Sequence, residues 1–342
     1  MKENKKIYLE IIRIFAIFMI IFNHIDGFIY FTVTENILTW LFSIFLASIC
    51  KMGVPLFFMI SGALLLPKEE TYSELFRKRI SRIIVVLLTV SFFYYIFDCW
   101  RYGIEEAGIV DFINKLCTNG IRESLWFLYT YLSMLLLLPF FRKMIILFDR
   151  KMLIYLLGLK VLYSTIIPFV SFFTKISIYH KPGFVDECFF YLILGYCMEE
   201  YKGVFEKNKK IWKEISKILV ITSIDVAIMQ IYYLRIGNYA FELLELFLCF
   251  SVIPTWRIGI MLADKCQGKD VAMKIISTIG GCVFGIYLLD NFVRWLLLPV
   301  YLWLTEKTVG VIACSVYMVL TFALGLLFTF VLKRIPILRK FL

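Results

Sequence analysis

The 342-residue chain reads as an all-α polytopic membrane protein of about ten transmembrane helices, with both termini cytoplasmic. Three observations predict this. Hydrophobic residues make up 61% of the chain, charged residues 18%, and mean hydropathy is +0.83; a soluble domain is roughly 45–50% apolar and about 25% charged. The apolar residues fall in continuous runs long enough to span a bilayer, which takes roughly 20 residues each. Lys and Arg collect in alternate connections between those runs, as the positive-inside rule requires. This composition excludes disorder, a small disulfide scaffold and an ordinary water-soluble enzyme. The runs do not alternate polar with apolar, which excludes a β-barrel.

The runs cover 7–31, 38–66, 82–100, 122–146, 152–173, 184–201, 215–235, 239–263, 276–298 and 309–332. The first is too long for a signal-peptide core and lacks a small-residue cleavage site. The second carries Lys51, Gly53 and Pro55, which predicts a kink or two half-helices. With the N-terminus inside, inner segments hold 25 Lys and Arg and outer segments hold 8, while Arg13, Lys51, Lys160 and Arg257 sit within spans. This asymmetry predicts an even number of spans. It also assigns the net charge of +11 to cytoplasmic loops and not to nucleic-acid binding. The outer connections are short, and no internal repeat interrupts what reads as a single membrane domain over 1–342. The nine cysteines are scattered without C-x-x-C spacing and read as small core residues. With two histidines and no cysteine pair, a zinc site has no support.

Ionisable residues within spans are costly and are candidates for function. Arg13 and His24, eleven residues apart, fall within about 20° of each other around a helix and about 16 Å apart along it. Such a pair would line a channel entered from the cytoplasm, with a cation at its mouth for an anionic ligand and a base deeper in. The plainer reading pairs Arg13 with Glu10 and leaves His24 hydrogen-bonded within the bundle; periodicity alone weighs the two evenly. Asp26 follows His24 closely. Phe76 to Arg82 forms a basic entry to the third span, either as a positive-inside anchor or as a phosphate site built on Arg79 and Arg82. Asp290 and Arg294, four apart, are expected to pair. Lys51 precedes the Gly-Val-Pro break, Trp126 fits an interfacial belt as well as a site, and His180 lies in an outer loop.

These motifs, taken in order, resemble the acyltransferase type 3 family of bacterial integral-membrane O-acyltransferases. Leu9-Glu10-Ile11-Ile12-Arg13 followed by His24 is similar to that family's first helix. Gly53-Val54-Pro55-Leu56-Phe57-Phe58-Met59-Ile60-Ser61-Gly62 is similar to its second-helix signature, and Phe76 to Arg82 to its basic third-helix entry. Leu125-Trp126-Phe127-Leu128, Leu192-Ile193-Leu194-Gly195-Tyr196 and Gly285-Ile286-Tyr287-Leu288-Leu289 resemble later landmarks. The resemblance covers nearly the whole chain, in the compact form without an appended hydrolase-like domain. One departure stands out: Asp290 occupies a position where the family often has histidine.

The resemblance implies a multi-pass enzyme of the bacterial cytoplasmic (inner) membrane. It would transfer an acyl group, usually acetyl, from cytoplasmic acyl-CoA to a hydroxyl of a glycan or lipid-linked sugar. On this chain His24 would be the catalytic base or acyl carrier, Arg13 would orient the donor or His24, and Arg79 and Arg82 would hold CoA phosphates. Glu10, Asp26, Lys51, Trp126 and Asp290 would support them. Neither mechanism calls for a metal or a tightly bound cofactor; acetyl-CoA or another acyl-CoA enters as the donor substrate. The competing classes are a transporter of a glycan precursor or amino acid, kept open by the Gly-Val-Pro break, and a membrane scaffold. Many transporters carry repeats and paired broken helices, neither of which this sequence displays.

Overall fold

The structure is a computed structural model that describes residues 6–25, 37–103, 108–174, 176, 187–205 and 210–341. Asp26, His180 and the start of the expected 184–201 span lie outside these residues. The described residues are helical, without strands. In chain order the main helices are α1 (Ile7–His24), α2 (Ile37–Cys50), α3 (Gly53–Leu65), α4 (Tyr72–Tyr102), α5 (Ile109–Cys117), α6 (Glu123–Ile145), α7 (Arg150–Phe173), α8 (Glu187–Glu200), α9 (Ile211–Ile236), α10 (Leu248–Cys266), α11 (Asp270–Gly280), α12 (Val283–Lys307) and α13 (Gly310–Leu332).

Eight helical segments among the described residues are long and apolar enough to cross a membrane, with α2 and α3 counted as one. Two expected spans are not among them. Over 184–201 the described helix α8 has 14 residues. Over 239–263 a short 3₁₀ turn, Phe241–Glu245, precedes α10, which carries Arg257, Asp264 and Lys265. The overlong second run is two half-helices, as its Lys51-to-Pro55 stretch predicted. The third span begins at Tyr72 rather than 82, because a capping box between Thr71 and Glu74 starts the helix and the basic run 76–80 continues it as a wider π-type turn. The run 276–298 breaks after Gly280, and its spanning helix extends from Val283 to Lys307.

The chain divides into two compact units. The first comprises residues 1–64 and 148–331. Here α1 is the central element, packed against α2, α10, α11 and α12. Its Ile12, Ala16, Ile17 and Ile21 are almost wholly buried, and the Tyr8 ring meets Trp256 edge-on at 5.8 Å. Crossings are tight where glycine permits it. A Cβ on Gly62 would lie 1.7 Å from the Leu192 carbonyl oxygen, and one on Gly195 1.9 Å from that of Met59. Thus α3 and α8 meet backbone to backbone, the small-residue packing common between membrane helices.

The second unit comprises residues 65–147 and 332–342. In it α4 packs against α5 and α6. Tyr95 ties α5 to α4: its hydroxyl donates to Asp111 Oδ2 at 2.9 Å and accepts the Gly108 N–H, also at 2.9 Å. Six cysteines (50, 188, 197, 249, 282 and 314) are buried, and Cys99 and Cys117 are unbridged thiols.

Candidate active site

In the first unit the chemistry collects at the last residue of α1. His24 Nδ1 lies 2.7 Å from Asp290 Oδ2 on α12, 266 residues away in sequence. Asp290 is 1% exposed, whereas the His24 side chain is 20% exposed. Arg294, one turn beyond Asp290, donates from Nε to the same Oδ2 at 3.1 Å, so the expected i,i+4 pair forms. The same guanidinium donates from Nη1 to the His24 carbonyl oxygen at 2.6 Å and from Nη2 to Asn291 Oδ1 at 2.7 Å. It thereby accepts a role the sequence does not announce, tying α12 to an unsatisfied carbonyl at the α1 terminus. Next to His24, Asn23 Nδ2 donates to the Cys50 carbonyl at 3.0 Å and fixes the α1 end to the break between α2 and α3.

Arg13, three turns earlier on α1, donates from Nη1 to Glu10 Oε1 at 2.8 Å. Glu10 is 4% exposed at the side chain and Arg13 27%. Glu10 fits there because Gly280 leaves it room: a Cβ on Gly280 would sit 2.2 Å from Glu10 Oε2. Lys51, at the half-helix break, pairs with Glu245 at 2.6 Å. Arg257 on α10 pairs with buried Glu214 on α9 at 3.0 Å. Sequence reasoning left Glu214 out, since its Lys-rich surroundings look like an ordinary solvated face.

In the second unit the basic run is organised by a residue that sequence reasoning missed. Glu70, just before α4, receives Arg79 through both Nε and Nη2, the latter at 2.6 Å from Oε1. Its Oε2 also accepts Arg142 Nη2 at 2.9 Å, while Arg142 holds the Leu65 carbonyl oxygen at 2.9 and 3.0 Å. These donors hold the Glu70 carboxyl at about 2, well below its ordinary 4.5, with the Arg79 hydrogen bonds the largest cause. Arg82 donates from Nη2 to the Phe341 carbonyl at 3.2 Å. Trp126, at the start of α6, is 40% exposed. The only hint of Glu70 in sequence is the acidic pair Glu69-Glu70 before a basic run, a pattern too common to single out.

Among the described residues no group of three His, Cys, Asp or Glu side chains could hold a metal ion. The His24 imidazole, largely buried, is held by a buried carboxylate, and Arg13 and Arg79 are fixed by carboxylates. An imidazole so held can accept a proton or act as a nucleophile, and fixed guanidiniums suit phosphate or carboxylate ligands.

Comparison with known proteins gives one match. A family model described as an acyltransferase domain, the acyltransferase type 3 model, aligns with residues 6–334. The searches of curated proteins and of solved structures find no match. With nearly all of its length under that one model, the chain belongs to the acyltransferase type 3 family and is a membrane acyltransferase by membership.

Proposed function

We propose that the protein is an integral-membrane O-acyltransferase that moves an acyl group, in the first instance acetyl, from cytoplasmic acyl-CoA to a hydroxyl of a cell-surface glycan or lipid-linked sugar. The observation that carries this reading is the His24 imidazole, partly exposed at the end of a membrane helix and held at 2.7 Å by Asp290. A scaffold has no need of a braced base in lipid, where ionisable groups are costly. Family membership supplies the reaction class.

On this reading His24 assists attack of the acceptor hydroxyl on the thioester. Glu10 sets the rotamer of Arg13, which orients the donor. Arg79 and Arg82 take the CoA phosphates, and Glu70 fixes the Arg79 fork in advance, so less side-chain entropy is lost on binding. Asp26, Lys51 and Trp126 serve as supporting residues. The enzyme sits in the bacterial cytoplasmic membrane as one domain with both termini inside, which lets cytoplasmic donor reach the mouth at Arg13.

The test is transfer of label from [¹⁴C]acetyl-CoA into the glycan and lipid-linked-sugar fractions of membranes carrying the protein. Label is expected in an alkali-labile ester with wild type and absent with His24→Ala. Ester labelling that persists in His24→Ala at equal protein level overturns the assignment. Movement of a glycan precursor across proteoliposomes without acyl-CoA, and with no ester formed, would make the protein a transporter.

A further inference from the structure

We infer that Asp290 is the positioning residue of the reaction: it fixes His24 in the tautomer protonated at Nδ1, so that Nε2 alone meets the substrate, and Arg294 braces the pair. This inference rests on the proposed acyltransferase reading for its chemistry, but its structural content stands apart from it. Asp290 Oδ2 accepts from Arg294 Nε at 3.1 Å and lies 2.7 Å from His24 Nδ1. An ionised carboxylate has no proton to give and only accepts, so with Asp290 paired to the Arg294 cation the hydrogen between Oδ2 and the ring belongs to Nδ1. A neutral imidazole carries one N–H, which leaves Nε2 with its lone pair.

The surroundings make the arrangement rigid. Asp290 is 1% exposed, and its other oxygen, Oδ1, is buried without a hydrogen-bond partner. Arg294 bonds Asp290, the His24 carbonyl oxygen and Asn291, and its own carbonyl accepts the Tyr317 hydroxyl at 2.7 Å. One guanidinium therefore fixes the carboxylate and the backbone of the residue whose ring that carboxylate aims. This is the logic of a base oriented by a third group.

The proton and electron pairs balance through Nε2. The acceptor's O–H proton passes to Nε2 as its oxygen bonds to the thioester carbonyl carbon. The tetrahedral intermediate then breaks its C–S bond, and the departing sulfur takes the proton back from Nε2. The products are the ester and CoA thiol, with His24 neutral again.

The experiment reads the ring directly. The chain has two histidines, so His180→Gln leaves His24 as the sole imidazole. ¹⁵N spectra of this histidine-labelled protein in nanodiscs, without substrate, are expected to show a protonated Nδ1 and a bare Nε2 in the neutral ring. In Asp290→Asn, where the amide oxygen can still receive Arg294, the tautomer preference weakens and transfer falls on the order of 10²-fold, the scale of a disabled acid–base group. Arg294→Lys is expected to shift the tautomer ratio less. A ring with Nε2 protonated and Nδ1 bare in the His180→Gln protein overturns the inference without any change at Asp290, so misfolding of a variant cannot mask it. Asp290→Asn with both the wild-type spectrum and wild-type turnover overturns it as well. If the expected tautomer is found but no acyl transfer occurs with any donor, the acyltransferase reading fails while the positioning of His24 by Asp290 stands.

Discussion

Two carboxylates organise the two units of this protein, and they do so with different partners. Asp290 holds a titratable ring and one arginine; Glu70 holds two arginines. Asp290 is buried in a membrane helix and joins residues 266 positions apart. Glu70 lies outside the spans, 14% exposed, and gathers Arg79 from α4 and Arg142 from α6 of its own unit. A carboxylate facing a base can shape where a proton goes. A carboxylate facing permanent cations can only shape where charge sits. The first arrangement suits chemistry and the second suits binding.

That contrast breaks most visibly at His24. His24→Ala is expected to lower acyl transfer by about 10²- to 10⁴-fold, with the thermal transition in detergent little changed because the side chain is partly exposed. Equal losses of transfer and of folded protein would reduce His24 to a structural residue. Next in size is Glu70→Ala. It leaves two arginines without their carboxylate, at about 1.5–3 kcal/mol for the lost charge-assisted bonds. The expected readout is a lower unfolding temperature together with weaker acyl-CoA binding, and an unaltered His24 ring spectrum. Asp290→Asn should do the reverse, altering the ring and leaving donor affinity within about twofold.

Arg79→Lys sharpens the second half of the comparison. Lysine keeps the charge but loses the fork that meets Glu70 through two nitrogens. Donor affinity, followed by calorimetry, is expected to fall roughly tenfold, which corresponds to about 1.4 kcal/mol. The smallest effect is a pH dependence. Glu70 titrates at about 2 in the folded protein and at 4.5 ordinarily. Its stabilising contribution is therefore complete above about pH 4.5 and lost as pH falls toward 2. Glu70→Gln should flatten the acid limb of stability in that window, and an unchanged limb would separate Glu70 from acid unfolding.

How much of this was legible in the sequence depended on distance along the chain. The local pairs, Arg13 with Glu10 and Arg294 with Asp290, follow from helical spacing and are present at 2.8 and 3.1 Å. The Lys51-to-Pro55 break likewise follows from residue chemistry. The Arg79–Glu70 clamp does not, because the connection before α4 has no period to read. The contact of His24 with Asp290 does not either, since nothing local links residues that only the packing of α1 on α12 brings together. Hydropathy also placed some ends wrongly. It missed the start of the third span at Tyr72, where charged residues are helical, and the break after Gly280, where apolar residues continue through a turn.

The most direct test of the central claim is acyl-CoA binding and slow CoA release by the purified protein in detergent. Wild type, His24→Ala and Arg79→Ala would be compared without any acceptor. The account predicts that wild type binds acetyl-CoA and releases CoA to water. His24→Ala should bind equally and release none, and Arg79→Ala should bind on the order of tenfold or more weakly, the loss of a charge-assisted phosphate contact. A well-folded wild-type protein that binds no acyl-CoA, or CoA release undiminished in His24→Ala, would contradict it.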